Sequence, residues 1–530
     1  MLENIICGSL VYAGSCDLKR RQPMLYRTGS VKNPFIAYDD GYHWPDLYTE
    51  CDEMVETCVL VYLLAELRSL VRQGEATSKT EKVMQMPLEA KDLMRVINSS
   101  RALLTTSYSG CGELAANSTK FCLDLLRTAD ERFMRVKKRR KKERKLRLKQ
   151  SSSSIPADDD EYGSGDSPTE GNDSLIKGKP IICPTLFISF DDDFKKEELF
   201  YAIGVNHERR RITMCFRGSV VSNIDWATDF DSHMREVKNP MKMHSSQQPT
   251  MKVHSKLYDL LYAEFSRNPQ GEGGGGTGSS NNSTSHGRGG ELWTVFMEIL
   301  QNKIRPVTNN FPGYKLYITG HSFAGALATL FAFLAAAEPD AIIPKPVTCV
   351  SIASPYVGDE SFRQAHQMLE GLGKLRHLRV SNHKDVVTAS PKVSFRWRFY
   401  DSSANEDGGG HVGSLFKHVG MNLRLYQYVK PTHMEDGAIP SVPPPSYEIS
   451  YPKVPFGFFL MNYFDEMARG WDQSPFANLS CNPVEYWTWP WHNIREYNKR
   501  LVKNKDSLQK ISLNDLYSRK DIVGNLGSQF

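Results

Sequence analysis

One stretch constrains this chain more than any other: Leu316-Tyr-Ile-Thr-Gly-His-Ser-Phe-Ala-Gly-Ala-Leu-Ala-Thr-Leu330. Four β-prone residues end at Thr319, and an Ala/Leu-rich helix pattern starts just after Ser322. Gly320 lets the chain turn sharply between them. A serine at such a strand-to-helix turn is held with its hydroxyl exposed and a helix N-terminus beneath it. A hydroxyl is a weak nucleophile alone. It needs a base to take its proton and a carboxylate to orient that base. The pattern G-x-S-x-G carries one departure here: Ala324 holds the fifth position and the glycine follows at Gly325. Alanine is the smallest substitute, so the turn is expected to close.

The surroundings agree with a sheet that such a turn can sit on. From about 181 to 440, β-rich runs (Leu199–Val205, Ile212–Phe216, Leu316–Thr319, Val347–Ile352, Leu375–Val380) alternate with longer helical runs. That order predicts an α/β fold, a mostly parallel sheet with crossover helices. The run ending at Phe216-Arg217-Gly218-Ser219 offers a polar backbone corner. With the N–H of Phe323, the residue after the nucleophile, the N–H of Ser219 is a candidate oxyanion donor. The following Val220–Asp231, with Ile224, Trp226 and Phe230, reads as a lid or a plain surface helix.

Other segments divide the chain. Residues 1–134 read as a helical N-terminal flank. Val55, Val59, Leu60, Leu63, Leu64, Leu67, Leu70 and Val71 mark one helix over 52–73, with more helical pattern near 88–104 and 119–135. Residues 135–180 turn basic over 135–149 and then acidic and Ser/Gly-rich, a composition that cannot bury a core and predicts disorder. Three readings of 135–149 stand: a solvated linker, an anionic-lipid contact, or nuclear targeting or nucleic-acid contact. The hydrolase-like unit is expected over 181–502, with a flexible Gly/Ser insertion at 268–290 and a Pro-rich, aromatic C-terminal segment at 440–502. Residues 503–530 remain as a tail.

Composition excludes some classes. At 40% hydrophobic, 24% charged and a formal charge of +5, the chain reads as ordinary globular protein, with no nucleic-acid partner expected. The ten cysteines contain no CxxC pair. They read as reduced core residues, with no metal and no cofactor expected. No stretch reaches the roughly 18 apolar residues of a spanning helix. Met1–Gly14 has an acidic Glu3 and no basic flank, so it does not read as a secretory signal. An intracellular, cytoplasmic protein with peripheral membrane association is the expectation.

Taken together, five motifs in order resemble the class 3 (fungal-type) lipase family, whose fold is the α/β-hydrolase fold. Phe216-Arg217-Gly218-Ser219 is similar to its oxyanion strand, and Val253-His254-Ser255 to the start of its next helix. Gly320–Ala328 resembles G-H-S-L-G-G-A-L-A, and Ala353–Gly358 resembles G-x-P-R-V-G. Arg379–Val387 resembles R-V-x-N-x-x-D-x-V-P, with Thr388 in place of the proline. The resemblance covers about 190–500. It implies Asp385 as the triad acid. It implies a base in a late histidine–tyrosine motif, which falls on His492 before Tyr497; His418 is the alternative, with His411 beside it. The chain order Ser322, Asp385, His492 is that of α/β-hydrolases. The resemblance also implies hydrolysis of a lipid carboxylic ester, acylglycerol-like, at a membrane or droplet surface, through an acyl-enzyme. A catalytically inactive lipase-like scaffold that binds a ligand or regulates is the rival reading.

Overall fold

The computed structural model describes residues 41–75, 77–106, 120–135, 138, 145, 185–192, 199–218, 233–241, 248–263, 294–385, 387–389, 415–426, 446–452 and 491–519. Most of the 135–180 linker, the 268–290 insertion, the candidate lid, Ser219 and His411 lie outside the described residues.

Among the described residues, nine strands form one sheet in the order β1-β2-β3-β4-β7-β8-β9-β10-β11. They are β1 (Leu88–Glu89), β2 (Thr185–Asp191), β3 (Tyr201–Asn206), β4 (Arg211–Phe216), β7 (Lys315–His321), β8 (Val347–Ile352), β9 (Leu375–Asn382), β10 (Met421–Leu425) and β11 (Tyr447–Ser450). Strands β4, β7, β8, β9 and β10 pair in parallel, and the outer strands pair antiparallel. A separate hairpin pairs β5 (Met234–Lys238) with β6 (Thr250–His254).

Side chains alternate across the central strands as a two-residue period demands. Ile212, Met214, Leu316, Ile318, Val347 and Cys349 face one core. Cys215, Tyr317, Val350 and Ile352 face the other. Parallel strands buried on both faces need helices on both sides. The first core is covered by helices including α3 (Ser255–Tyr262), α4 (Phe323–Ala337) and α5 (Glu360–Gly371). The second holds α1 (Leu47–Arg72), α2 (Ala90–Ser99), residues 120–135, α6 (Ile494–Lys503) and the short helix Leu513–Tyr517.

The expected flank helix is therefore part of the interior. Helix α1 is buried on nearly every side between Met54 and Leu70, as expected of a helix covered on both sides. Its Cys58 meets Cys215 of β4 and Thr319 of β7. Its other side meets residues 120–135, where Arg132 pairs with Asp52 and Glu56. A buried ion pair fixes its register on the sheet: Glu50 meets Arg376 at 3.0 Å with both side chains fully buried. Tyr317 donates to the same Glu50 oxygen at 2.8 Å. The core also runs past 502, because Leu508, Leu513 and Tyr517 are buried within it. One continuous core thus joins residues the sequence divides among a flank, a central unit and a tail. No helix among the described residues is long and apolar enough to cross a membrane.

Candidate active site

The turn at Ser322 has the strain its sequence implies. Ser322 sits at φ 63°, ψ −134°, between the last residue of β7 and the first of α4. Positive φ in a residue with a Cβ persists only where packing over-determines it. Here the Ser322 N–H donates to the Ile352 carbonyl at 2.9 Å, and Gly325 N–H donates to the Ser322 carbonyl at 2.8 Å. Gly320 must be glycine, since a Cβ there would lie 2.3 Å from the Ala324 carbonyl oxygen. The departure at 324 is accommodated: Ala324 is buried against the core without displacing the helix start.

Asp385 follows β9 after a turn whose Lys384 also has positive φ, at 72°. Its carboxylate is fully buried. It accepts from Val387 N–H at 3.1 Å and from the Tyr497 hydroxyl at 2.6 Å. His492 lies at the foot of α6. Its Nδ1 is 3.1 and 3.0 Å from the two Asp385 oxygens, and its Nε2 is 2.8 Å from Ser322 Oγ. An ionised carboxylate can only accept, so Nδ1 carries the proton and Nε2 accepts from the serine hydroxyl. The structure thus brings Ser322, His492 and Asp385 into one hydrogen-bonded line.

Three residues not assigned a role from sequence hold that line. Tyr497, the tyrosine of the late motif, donates to Asp385 and accepts from the Asn382 N–H at 3.0 Å. Burial, then the Asp385 charge, pushes its phenol well above the usual range, so it stays a donor. Asn382 donates its side-chain amide to the Trp491 carbonyl at 2.9 Å. His321, beside the nucleophile, hydrogen-bonds through Nε2 to the His492 carbonyl at 3.0 Å. A carbonyl only accepts, so His321 Nε2 is the donor. Burial, with the nearby His492 adding to it, lowers the His321 pKa to about 3, so its ring is neutral. The H in G-H-S was visible in the sequence; that it would grip the backbone of the histidine 171 residues later was not.

His418 goes elsewhere. Its Nε2 donates to the Thr388 carbonyl at 2.7 Å, and its ring stacks on Tyr356 at 3.7 Å between centroids. Of the two oxyanion candidates, Phe323 opens α4, where helix geometry leaves N–H groups without intrahelical acceptors. Ser219 lies outside the described residues, but Gly218 before it is placed. A Cβ at Gly218 would meet the Tyr62 hydroxyl at 2.2 Å and the His321 carbonyl at 2.6 Å. Only glycine lets the end of β4 pass this close to the residue before Ser322.

Parts of the chain are similar to known proteins. The profile of the family described as Lipase (class 3) matches residues 213–395. That segment is similar to class 3 lipases. Phospholipase A1-II 6 of Oryza sativa subsp. japonica is 29% identical over 193 residues, 34% of this chain and 41% of that protein. Phospholipase A1-II 3 of the same subspecies is 39% identical over 85 residues, 15% of this chain and 20% of the relative. The chain thus spans less than half the length of these relatives. Among solved structures, the Rhizomucor miehei lipase propeptide complex aligns with a TM-score of 0.29 at 17% identity, over 46% of this chain and 57% of that one. Lipase II from Rhizopus niveus aligns with a TM-score of 0.30 at 18% identity, over 46% of this chain and 69% of its own.

Proposed function

We propose that the chain is a serine hydrolase of lipid carboxylic esters, with Ser322 as nucleophile, His492 as base and Asp385 as its orienting acid. The observation that carries this is the 2.8 Å contact from His492 Nε2 to Ser322 Oγ, backed by a fully buried Asp385 on Nδ1. His492 takes the Ser322 proton as Oγ attacks the ester carbonyl carbon. The C–O bond to the alcohol then breaks, and the leaving oxygen takes the proton from Nε2. Water attacks the acyl-enzyme and gives a proton to His492; the acyl carbon–Oγ bond then breaks, Oγ takes that proton back and the acid leaves. The N–H groups of Phe323 and Ser219 are the proposed oxyanion donors. The close passage of Gly218 beside the elbow supports that pairing.

The substrate we propose is an acyl ester of a glycerolipid met at a membrane or droplet surface. Two observations support it: the family match, and relatives named as phospholipases A1. The basic stretch 135–149 is the proposed anionic-lipid contact, since each Lys or Arg near an anionic surface gains about 1 kcal/mol.

Labelling of the purified protein with a fluorophosphonate probe tests the assignment. We expect label on the wild type and loss of it in both Ser322→Ala and His492→Ala. Label that survives in His492→Ala would move the base elsewhere. An unlabelled, folded wild type would turn the reading to a non-catalytic scaffold.

A further inference from the structure

The segment that carries His492 is held at three successive residues by three different elements. Trp491 offers its carbonyl to Asn382 at the end of β9, and His492 offers its own to His321 at the elbow. The third hold comes from residues 120–135, which lie outside the 213–395 family match. There, Asn493 Nδ2 donates to Asp124 Oδ2 at 2.6 Å. Both residues are buried, Asp124 at 8% exposure and Asn493 at 6%.

Asn493 is used twice. Its Oδ1 accepts from Arg495 N–H at 2.9 Å and caps α6, while its Nδ2 is committed to Asp124. The carboxylate therefore fixes the side chain that fixes the start of the helix, one residue from the imidazole. The hold is reinforced along α6. Arg495 reaches Asp124 at 3.5 Å and Glu131 at 2.9 Å, and Arg132 donates to Asn498 at 2.7 Å. A buried charge-assisted bond of this length is among the stronger contacts available to a side chain.

We propose that Asp124 is a positioning residue for His492, acting through Asn493, so that the N-terminal region completes the catalytic geometry. This rests on the reading of His492 as the base. A shift of about 1 Å in a reacting group can cut turnover on the order of 100-fold. Substrate affinity has no such dependence on the imidazole, so the loss belongs in kcat rather than KM.

The test compares the wild type with Asp124→Ala, Asn493→Asp and the exchanged pair Asp124→Asn/Asn493→Asp. The readouts are fluorophosphonate labelling rate, kcat and KM on a soluble nitrophenyl ester, and thermal melting. Asn493→Asp keeps a good helix cap but sets two carboxylates against each other. The exchanged pair restores an amide donor facing a carboxylate. We expect both single variants to lose kcat and labelling rate on the order of 10- to 100-fold with KM nearly unchanged, and the exchanged pair to recover most of it. A folded Asp124→Ala with wild-type kcat would overturn the inference. So would a loss that follows the melting temperature and is not recovered by the exchange. If the wild type itself fails to label, the assignment of His492 fails and this inference with it, a result distinct from either of those.

Discussion

Replacing Tyr497 with phenylalanine isolates one hydroxyl of the site. The ring stays, so no cavity opens in the core where Tyr497 is fully buried. What leaves is the hydroxyl, and with it two hydrogen bonds: the 2.6 Å donation to Asp385 and the 3.0 Å bond accepted from Asn382 N–H. A hydrogen bond to a charged group is worth about 1.5–3 kcal/mol, and a buried N–H left without an acceptor costs about 1–3 kcal/mol. The two losses share one oxygen and are not additive, so a destabilisation of about 3 kcal/mol is expected. Asp385 keeps Val387 N–H and His492, so the carboxylate is loosened rather than freed. If about half of the loss is felt in the transition state, kcat falls roughly tenfold, since about 1.4 kcal/mol is a decade of rate. Urea unfolding at pH 7 and steady-state kinetics on a soluble nitrophenyl ester measure both. A Tyr497→Phe protein with wild-type unfolding midpoint and wild-type kcat would refute the claim that this phenol holds the acid.

Acid should destabilise the fold through its buried histidines. Burial lowers the folded pKa of His321 to about 3, below the value of 6.5 for a free imidazole, and burial lowers that of His377 well below it too. Below pH 6.5 the unfolded chain binds protons that the folded chain refuses. Stability is therefore full above 6.5 and falls as pH drops below it, by up to about 1.4 kcal/mol per pH unit for each histidine. Urea melts at pH 7, 6 and 5 should show that slope, reduced by about half in His321→Gln. Arg376→Met removes one partner of the fully buried pair with Glu50 and strands a carboxylate in the core. It should destabilise by about 3–5 kcal/mol, read as a lowered unfolding midpoint, whereas a surface pair would change little.

Local pattern carried much of this protein. The turn at Ser322 was legible because a strand, a glycine and an apolar helix occur within fifteen residues, and each has its own period. The central strands were legible for the same reason, to within two residues at Ile212–Phe216, Val347–Ile352 and Leu375–Val380. Strands β2, β10 and β11, toward the two ends of the sheet, were not, because their place is set by pairing with their neighbours and their own runs carry little periodic signal. Helix α1 was visible as a helix but not as an inner layer; that depended on Glu50 finding Arg376, 326 residues away. Sequence motifs named Ser322, Asp385 and His492, but His492 and Asp385 are separated by 107 residues, and no local pattern records a distance across such a gap. Only the tertiary structure decides that His492 Nε2 faces Ser322 Oγ while His418 faces Thr388. The same holds for Tyr497, His321 and Asp124. Each acts through hydrogen bonds to residues far along the chain, and contacts of that kind leave no period in the sequence.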